Sequence, residues 1–202
     1  EYIMSNKQFA HELMQGAIDV HIHAGPDVFP RLLTDIEVAE QAKQAGMKAV
    51  LIKNHITITA DRAKIASDVT GFPVYGGVAL NLPLGGLNPQ AVEMAIRMNA
   101  KEVWMPTIHA EEYLADAGHV PMFQKVLKAG TRGINILDEN GKLKAEVYEI
   151  IDMVAKADIA LATGHISRKE SLVLVREAKA RGVNRIIITH PVSPMLNYTN
   201  DD

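Results

Sequence analysis

The chain has 202 residues, close to one domain, and its 48% hydrophobic and 22% charged residues are the balance of a globular protein, which excludes disorder and collagen. Lys and Arg number 21 against 24 Asp and Glu, a formal charge of -3 with no long run of either sign, so neither nucleic acid nor an anionic membrane is expected as a partner. There is no cysteine, which rules out disulfides, thiolate-bound zinc and a thiol nucleophile, and leaves His, Asp, Glu or a modified Lys to hold any metal.

The first seven residues lack a basic leader followed by an apolar stretch, and nowhere do about 18 apolar residues run together. The expectation is a cytoplasmic protein that acts on a small molecule, with association into a homo-oligomer left open. Short apolar runs then alternate with amphipathic ones. Strands are predicted at residues 17–21, 48–52, 73–79, 102–105, 159–163 and 185–189, and the clearest helices at 35–45, 89–98, 145–155 and 168–180. Thr34 with Glu37, and Ser167 with Glu170, have the spacing of capping boxes, in which hydroxyl and carboxylate each satisfy a free backbone N–H of the first turn. Gly46 and Gly182 mark helix ends.

This βα rhythm predicts an α/β fold with parallel strands over a single domain, residues 1–202, either a (β/α) TIM-like barrel or an open doubly wound sheet. The interval from Met105 to Ile159 breaks the rhythm. Asn140-Gly141 between apolar residues predicts a β-hairpin inserted near 134–143, and the competing reading makes 134–137 an ordinary barrel strand. The glycine-rich stretch 76–89 has neither a phosphate-cradle nor a dinucleotide pattern and reads as a shaped rim loop.

The eight histidines carry the functional signal. In Asp19-Val20-His21-Ile22-His23 the side chains two apart share a strand face, so two imidazoles converge at the end of the first strand. His165 and His190 follow two further apolar runs in the same manner. Four imidazoles at one end of three parallel strands make a candidate metal site, because neutral imidazole ligates Zn, Fe, Ni or Mn. Taken singly, His165 or His190 reads equally well as a satisfied strand end.

The run Asp19-Val20-His21-Ile22-His23-Ala24-Gly25-Pro26-Asp27, with Thr163-Gly164-His165 and Thr189-His190-Pro191, resembles the metal-dependent amidohydrolase superfamily, especially an uncharacterised amidohydrolase-like branch, over nearly the whole chain. The resemblance implies a TIM-like barrel in which His21 and His23 are the first ligand pair, His165 the ligand after strand five and His190 the ligand after strand six. It also favours the inserted hairpin, since it makes 159–163 the fifth strand. Two features depart from the pattern. The sequence ends at Asp202, twelve residues after His190, without strands seven and eight and their aspartate, so the expectation is a fragment or a barrel incomplete at its C-terminus. The stretch Glu102-Val103-Trp104-Met105 lacks the lysine that some members carbamylate, so a binuclear centre of that type is not expected.

Lys53 and His55 share a face beyond the second strand. Lys53 is a candidate to polarise a developing oxyanion or bind an anion, and His55 to ligate metal or shuttle protons. Asp27, Arg31 and His109 are candidate substrate-binding residues in loops, with a surface ion pair as the plainer reading of the first two. His11 and His119 read as surface residues, and Trp104 and the nine methionines as packing. The expected activity is a metal-dependent hydrolase, Zn being the first choice over Mn, Fe or Ni, in which metal-activated water attacks an amide, ester or lactone, with His190 or His55 as the base. The alternatives are a phosphoesterase of the polymerase-and-histidinol-phosphatase type, a decarboxylase of the same superfamily, and a catalytically silent barrel that binds a partner.

Overall fold

The computed structural model describes residues 6–117, 127–128, 130–196 and 198–199. In chain order the elements are α1 (Asn6–Met14), β1 (Ile18–Ile22), α2 (Asp35–Gln44), β2 (Ala49–Ile52), α3 (Ala60–Thr70), β3 (Val74–Ala79), α4 (Pro89–Arg97), β4 (Glu102–Trp104), α5 (Glu111–Ala117), α6 (Ala145–Ala157), β5 (Ala160–Ala162), α7 (Arg168–Ala180) and β6 (Arg185–Ile187). Both predicted capping boxes form and start α2 and α7. The helices α1, α3 and α5 lie outside those singled out from sequence; α3 has the weakest amphipathic pattern and is placed by packing against α2 and β3. None of the described helices is long and apolar enough to cross a membrane.

The six strands are all parallel and pair in sequence order, β1-β2-β3-β4-β5-β6. The sheet curls into part of a barrel, bringing the ring of His21, in β1, within 4.8 Å of the ring of His190, beyond β6. The predicted parallel α/β class therefore holds. β4 pairs directly with β5, so residues 134–137 do not form a barrel strand between them. The hairpin expected near 134–143 is reduced to a single antiparallel bridge between Leu137 and Leu143. Asn140 keeps an ordinary negative φ while Gly141 takes +75°, and the Asp138 carboxylate accepts from the backbone N–H groups of Asn140 and Lys142. An Asx-type loop thus replaces the two-residue turn.

Apolar packing divides into two outer layers and an inner one. α2 and α3 cover β1 to β3 around Val38, Val50, Ile52 and Phe72. Helices α4, α6 and α7 cover the other strands around Val103, Ile150, Ile151, Leu161 and Leu174, a larger cluster. Inside the curl, Leu51, Ala79, Trp104 and Ala162, with Ile187 against them, give one side chain from each of β2 to β6. A Cβ at Gly77 would run into the Trp104 ring and the Glu102 carbonyl, so the glycine makes room for the indole.

β1 departs from regular register: Asp19 faces Val50 and Ile22 faces Ile52, three steps against two. The extra residue is accommodated because the Asp19 carboxylate takes the backbone N–H of His21 at 2.9 Å. A bulge at this point turns the following side chains into the barrel mouth.

Candidate metal centre

Five imidazoles form a closed circuit at the carboxyl ends of the strands. Ring centres are separated by 5.4 Å for His21–His23, 4.8 Å for His23–His55, 5.9 Å for His55–His165, 5.4 Å for His165–His190 and 4.8 Å for His190–His21. Two imidazoles on one tetrahedral ion have ring centres roughly 5 Å apart, given metal–nitrogen bonds of about 2.0–2.1 Å. Each ring arrives from a different structural device. The bulge of β1 aims His21 and His23. His55 lies three residues beyond β2. Gly164, at φ +62°, turns the chain after β5 so tightly against the Met105 and Pro106 carbonyls that a Cβ would collide with them, and His165 follows it. His190 itself takes the left-handed region, φ 51°, closed by a bond from the Ser193 N–H to its carbonyl.

A cavity of about 240 Å³ opens on this circuit, lined by His23, Phe29, Arg31, His55, Tyr113, His165, His190, Ser193 and Leu196. Tyr113 of α5 lies 4.3 Å from the His165 ring. Beneath it Lys53 is completely buried; its Nζ lies 3.2 Å from His21 Nε2 and 5.3 Å from the centre of the Trp104 ring. Glu102, one turn of the pleat below Trp104, is 2% exposed.

Burial sets the protonation of the site. It lowers His21 and His23 to about 3, with Lys53 adding to the effect in both and Arg31 in His23. It also pushes His55, His165 and His190 below the usual imidazole range, again with Lys53 contributing. Lys53 comes down to about 7 because its ammonium is desolvated, against the pull of Glu102, and burial raises Glu102 to about 8. The circuit is therefore a set of neutral nitrogen donors, the form that binds cations.

Among the described residues, no three His, Asp or Glu side chains make a ready cage for a cation. Three of the ring nitrogens are already engaged. Lys53 contacts His21 Nε2, Arg31 Nη2 donates to His23 Nδ1 at 3.2 Å, and His55 Nδ1 lies 2.8 Å from Thr107 Oγ1. His165 differs: both of its ring nitrogens are buried without a hydrogen-bond partner. An imidazole left this way in a polar mouth calls for a partner, a water or an ion. By chemistry alone, neutral imidazoles such as His165, His190, His21 and His23 suit a divalent cation, but Lys53 and Arg31 hold a nitrogen of His21 and of His23 in this arrangement.

The other sequence candidates are placed as follows. Asp27, its side chain fully buried, does not line the cavity; it grips Arg31 at 2.7 Å. Arg31 does line it, its guanidinium 5.6 Å from the centre of the Phe29 ring. His109 is buried away from the cavity, with Nδ1 unpartnered. His11 is exposed, and His119 lies outside the described residues.

Sequence reasoning passed over Asn81 and Thr107, both completely buried. Asn81 Oδ1 accepts from the N–H groups of Thr107 and His109, at 3.0 and 3.1 Å, and its Nδ2 donates to the His55 carbonyl at 2.8 Å and to Thr107 Oγ1 at 2.5 Å. One amide ties together the loops after β2, β3 and β4. The available signal was a polar residue just past an apolar strand, the same signal that exposed the histidines, hidden here in a glycine-rich loop.

Residues 16–202 match the model of a family of unknown function, DUF6282. The chain belongs to this family. No curated protein sequence matches this DUF6282 member. Among solved structures it is similar to a histidinol phosphate phosphatase from Lactococcus lactis subsp. lactis Il1403, complexed with zinc, L-histidinol and phosphate. The identity is 12%, 86% of this chain and 85% of that one are covered, and the TM-score is 0.37. So loose a likeness leaves the chemistry to be argued from this chain's own residues.

Proposed function

We propose that this DUF6282 member is a metal-dependent hydrolase of small molecules. The observation that carries this reading is His165: two buried, unpartnered nitrogens within a circuit of neutral imidazoles spaced as shared ligands are. His165, His21 and His23 would hold a divalent ion, zinc being the first choice for an all-imidazole set and Mn, Fe or Ni the alternatives. Such an ion, when bound, lowers the pKa of water toward about 7 and polarises a carbonyl or phosphoryl oxygen.

The chain's own residues supply the rest. Phe29, Tyr113 and Leu196 give the cavity apolar walls against which a small body is held out of water. Arg31, fixed by Asp27, offers a positive edge to the polar end of that body. Lys53, its charge labile near neutrality, sits where it can give up or take a proton beside His21. His190, the most exposed ring of the circuit, is the candidate base for the water proton.

The test is elemental analysis of protein purified without chelator, followed by titration of the stripped protein with zinc. About one equivalent is expected, and His165→Ala should lose most of it while remaining folded. Well under 0.1 equivalent, with no uptake of Zn, Mn, Ni or Fe, overturns the proposal. A panel of lactones, amides, esters and p-nitrophenyl phosphate then fixes the bond cleaved, and with it the choice between amide-type hydrolase and phosphoesterase.

A further inference from the structure

His55 stands in the circuit, but its hydrogen bonds set it apart from the other four rings. The amide orientation of Asn81 is fixed because two backbone N–H groups, of Thr107 and His109, can only point at its oxygen. Its nitrogen must then donate, and one of the two acceptors is Thr107 Oγ1. The Thr107 hydroxyl therefore receives one proton from Asn81 and has one of its own to give.

Thr107 is completely buried, and its described side-chain partners are Asn81 Nδ2 and His55 Nδ1. If His55 Nδ1 carried the proton, both contacts would deliver hydrogens to the oxygen, and the hydroxyl hydrogen would be left without an acceptor in a dry site. If the hydroxyl donates to Nδ1, every group in the network is satisfied. The ring, kept neutral by burial, then carries its one proton on Nε2, at the end opposite Thr107. His23 is also held at Nδ1, by Arg31, but that guanidinium is anchored by the Asp27 side chain, whereas Asn81 is anchored to backbone N–H groups and in turn holds Thr107.

We infer that His55 presents a fixed Nε2–H to the cavity as a hydrogen-bond donor, oriented by Thr107 and Asn81, and that it neither ligates the cation nor takes a proton from water. This differs from the role of ligand or proton shuttle expected from sequence. On the hydrolase reading, the donor faces the substrate oxygen that gains negative charge when water adds, and a preorganised N–H there stabilises that charge without rearrangement. The substrate oxygen rests on the proposed function; the tautomer does not. Thr107 and Asn81 are positioning residues, acting through the ring.

The experiment uses full-length protein labelled with 15N-histidine, with His55 resonances assigned by their loss in His55→Gln. Long-range proton–nitrogen spectra should show Nε2 protonated and Nδ1 unprotonated from pH 6 to 8, unchanged when stripped protein receives one equivalent of zinc. His55→Gln should keep the wild-type zinc stoichiometry. Thr107→Ser should retain the tautomer and Thr107→Val should give an average of the two forms. A protonated Nδ1, a zinc-induced shift at His55 Nε2 as large as those of the ligating rings, or an unaltered tautomer in Thr107→Val overturns the inference. If Thr107→Val does not fold, the wild-type spectrum and its zinc response still decide. Absence of zinc uptake together with a fixed Nε2–H defeats the metal reading and leaves the donor standing.

Discussion

The central strands and the edge strands hold their histidines by different means. β2, β4 and β5 are buried along their whole length, and the side chains that follow β2 and β4 are fastened by the network of Asn81 and Thr107. β1 and β6 alternate between exposed and half-buried residues, and Ile18, Val20 and Ile188 face solvent. Their histidines are steadied by a bulge, a left-handed residue and two cations. The His55 ring after β2 is thus set by backbone-anchored bonds that permit one orientation, the edge rings are held by contacts that a bound cation can displace, and the His165 ring after β5 has no polar partner. A site built this way keeps a rigid wall and adjustable ligands.

Asn81→Ala should break the contrast most severely, because it strips partners from two buried N–H donors and a buried carbonyl. A loss of about 3 kcal/mol or more is expected in urea unfolding. Thr in place of Val20 on the outer face of β1 should stay within about 0.5 kcal/mol. A small effect at Asn81 would show that the central wall is not held by this network. Next, Leu161→Ala in β5 should cost about 3 kcal/mol through the cavity it leaves, whereas Ile18→Ala at the edge should cost less than about 1 kcal/mol.

The third prediction concerns pH. The imidazoles have folded pKa values below the ordinary 6.5, so below that point the unfolded chain binds more protons than the folded one. The imidazole contribution to the stability of metal-free protein should be fully present above about pH 7 and fall as pH drops. For the well-buried His55 and His165 the loss at pH 5 is on the order of 1–2 kcal/mol each. Glu102 has the opposite sense: raised to about 8, it stabilises the fold below the ordinary carboxylate range and loses that contribution as pH rises toward 8. Urea midpoints from pH 4 to 9 read both, and a midpoint that rises on acidification below pH 6.5 would contradict the neutral circuit. The smallest effect is expected from Arg31→Met, which frees His23 Nδ1 and removes a competing charge; zinc should bind roughly three- to tenfold tighter, about 1 kcal/mol. Weaker binding would mean that Arg31 helps to assemble the site.

The sequence was sufficient for the parallel α/β class, because each strand is a short apolar run between capped amphipathic helices, and that periodicity is local. It was sufficient too for the histidines as a group, since a polar side chain ending an apolar strand is visible in one dimension. The hairpin expectation went further than the chain supports: Asn140-Gly141 permits a tight turn, but the Asp138 carboxylate accepts from the N–H groups two and four residues on, and that side chain competes with the turn. Which imidazoles are free and which are engaged was decided only in three dimensions. Lys53 meets His21, Arg31 meets His23, and Thr107 meets His55, while His165 meets no polar partner, because strand register and curl set those neighbours and sequence spacing does not. Asn81 shows the same limit: nothing within its own loop says that one amide will join three.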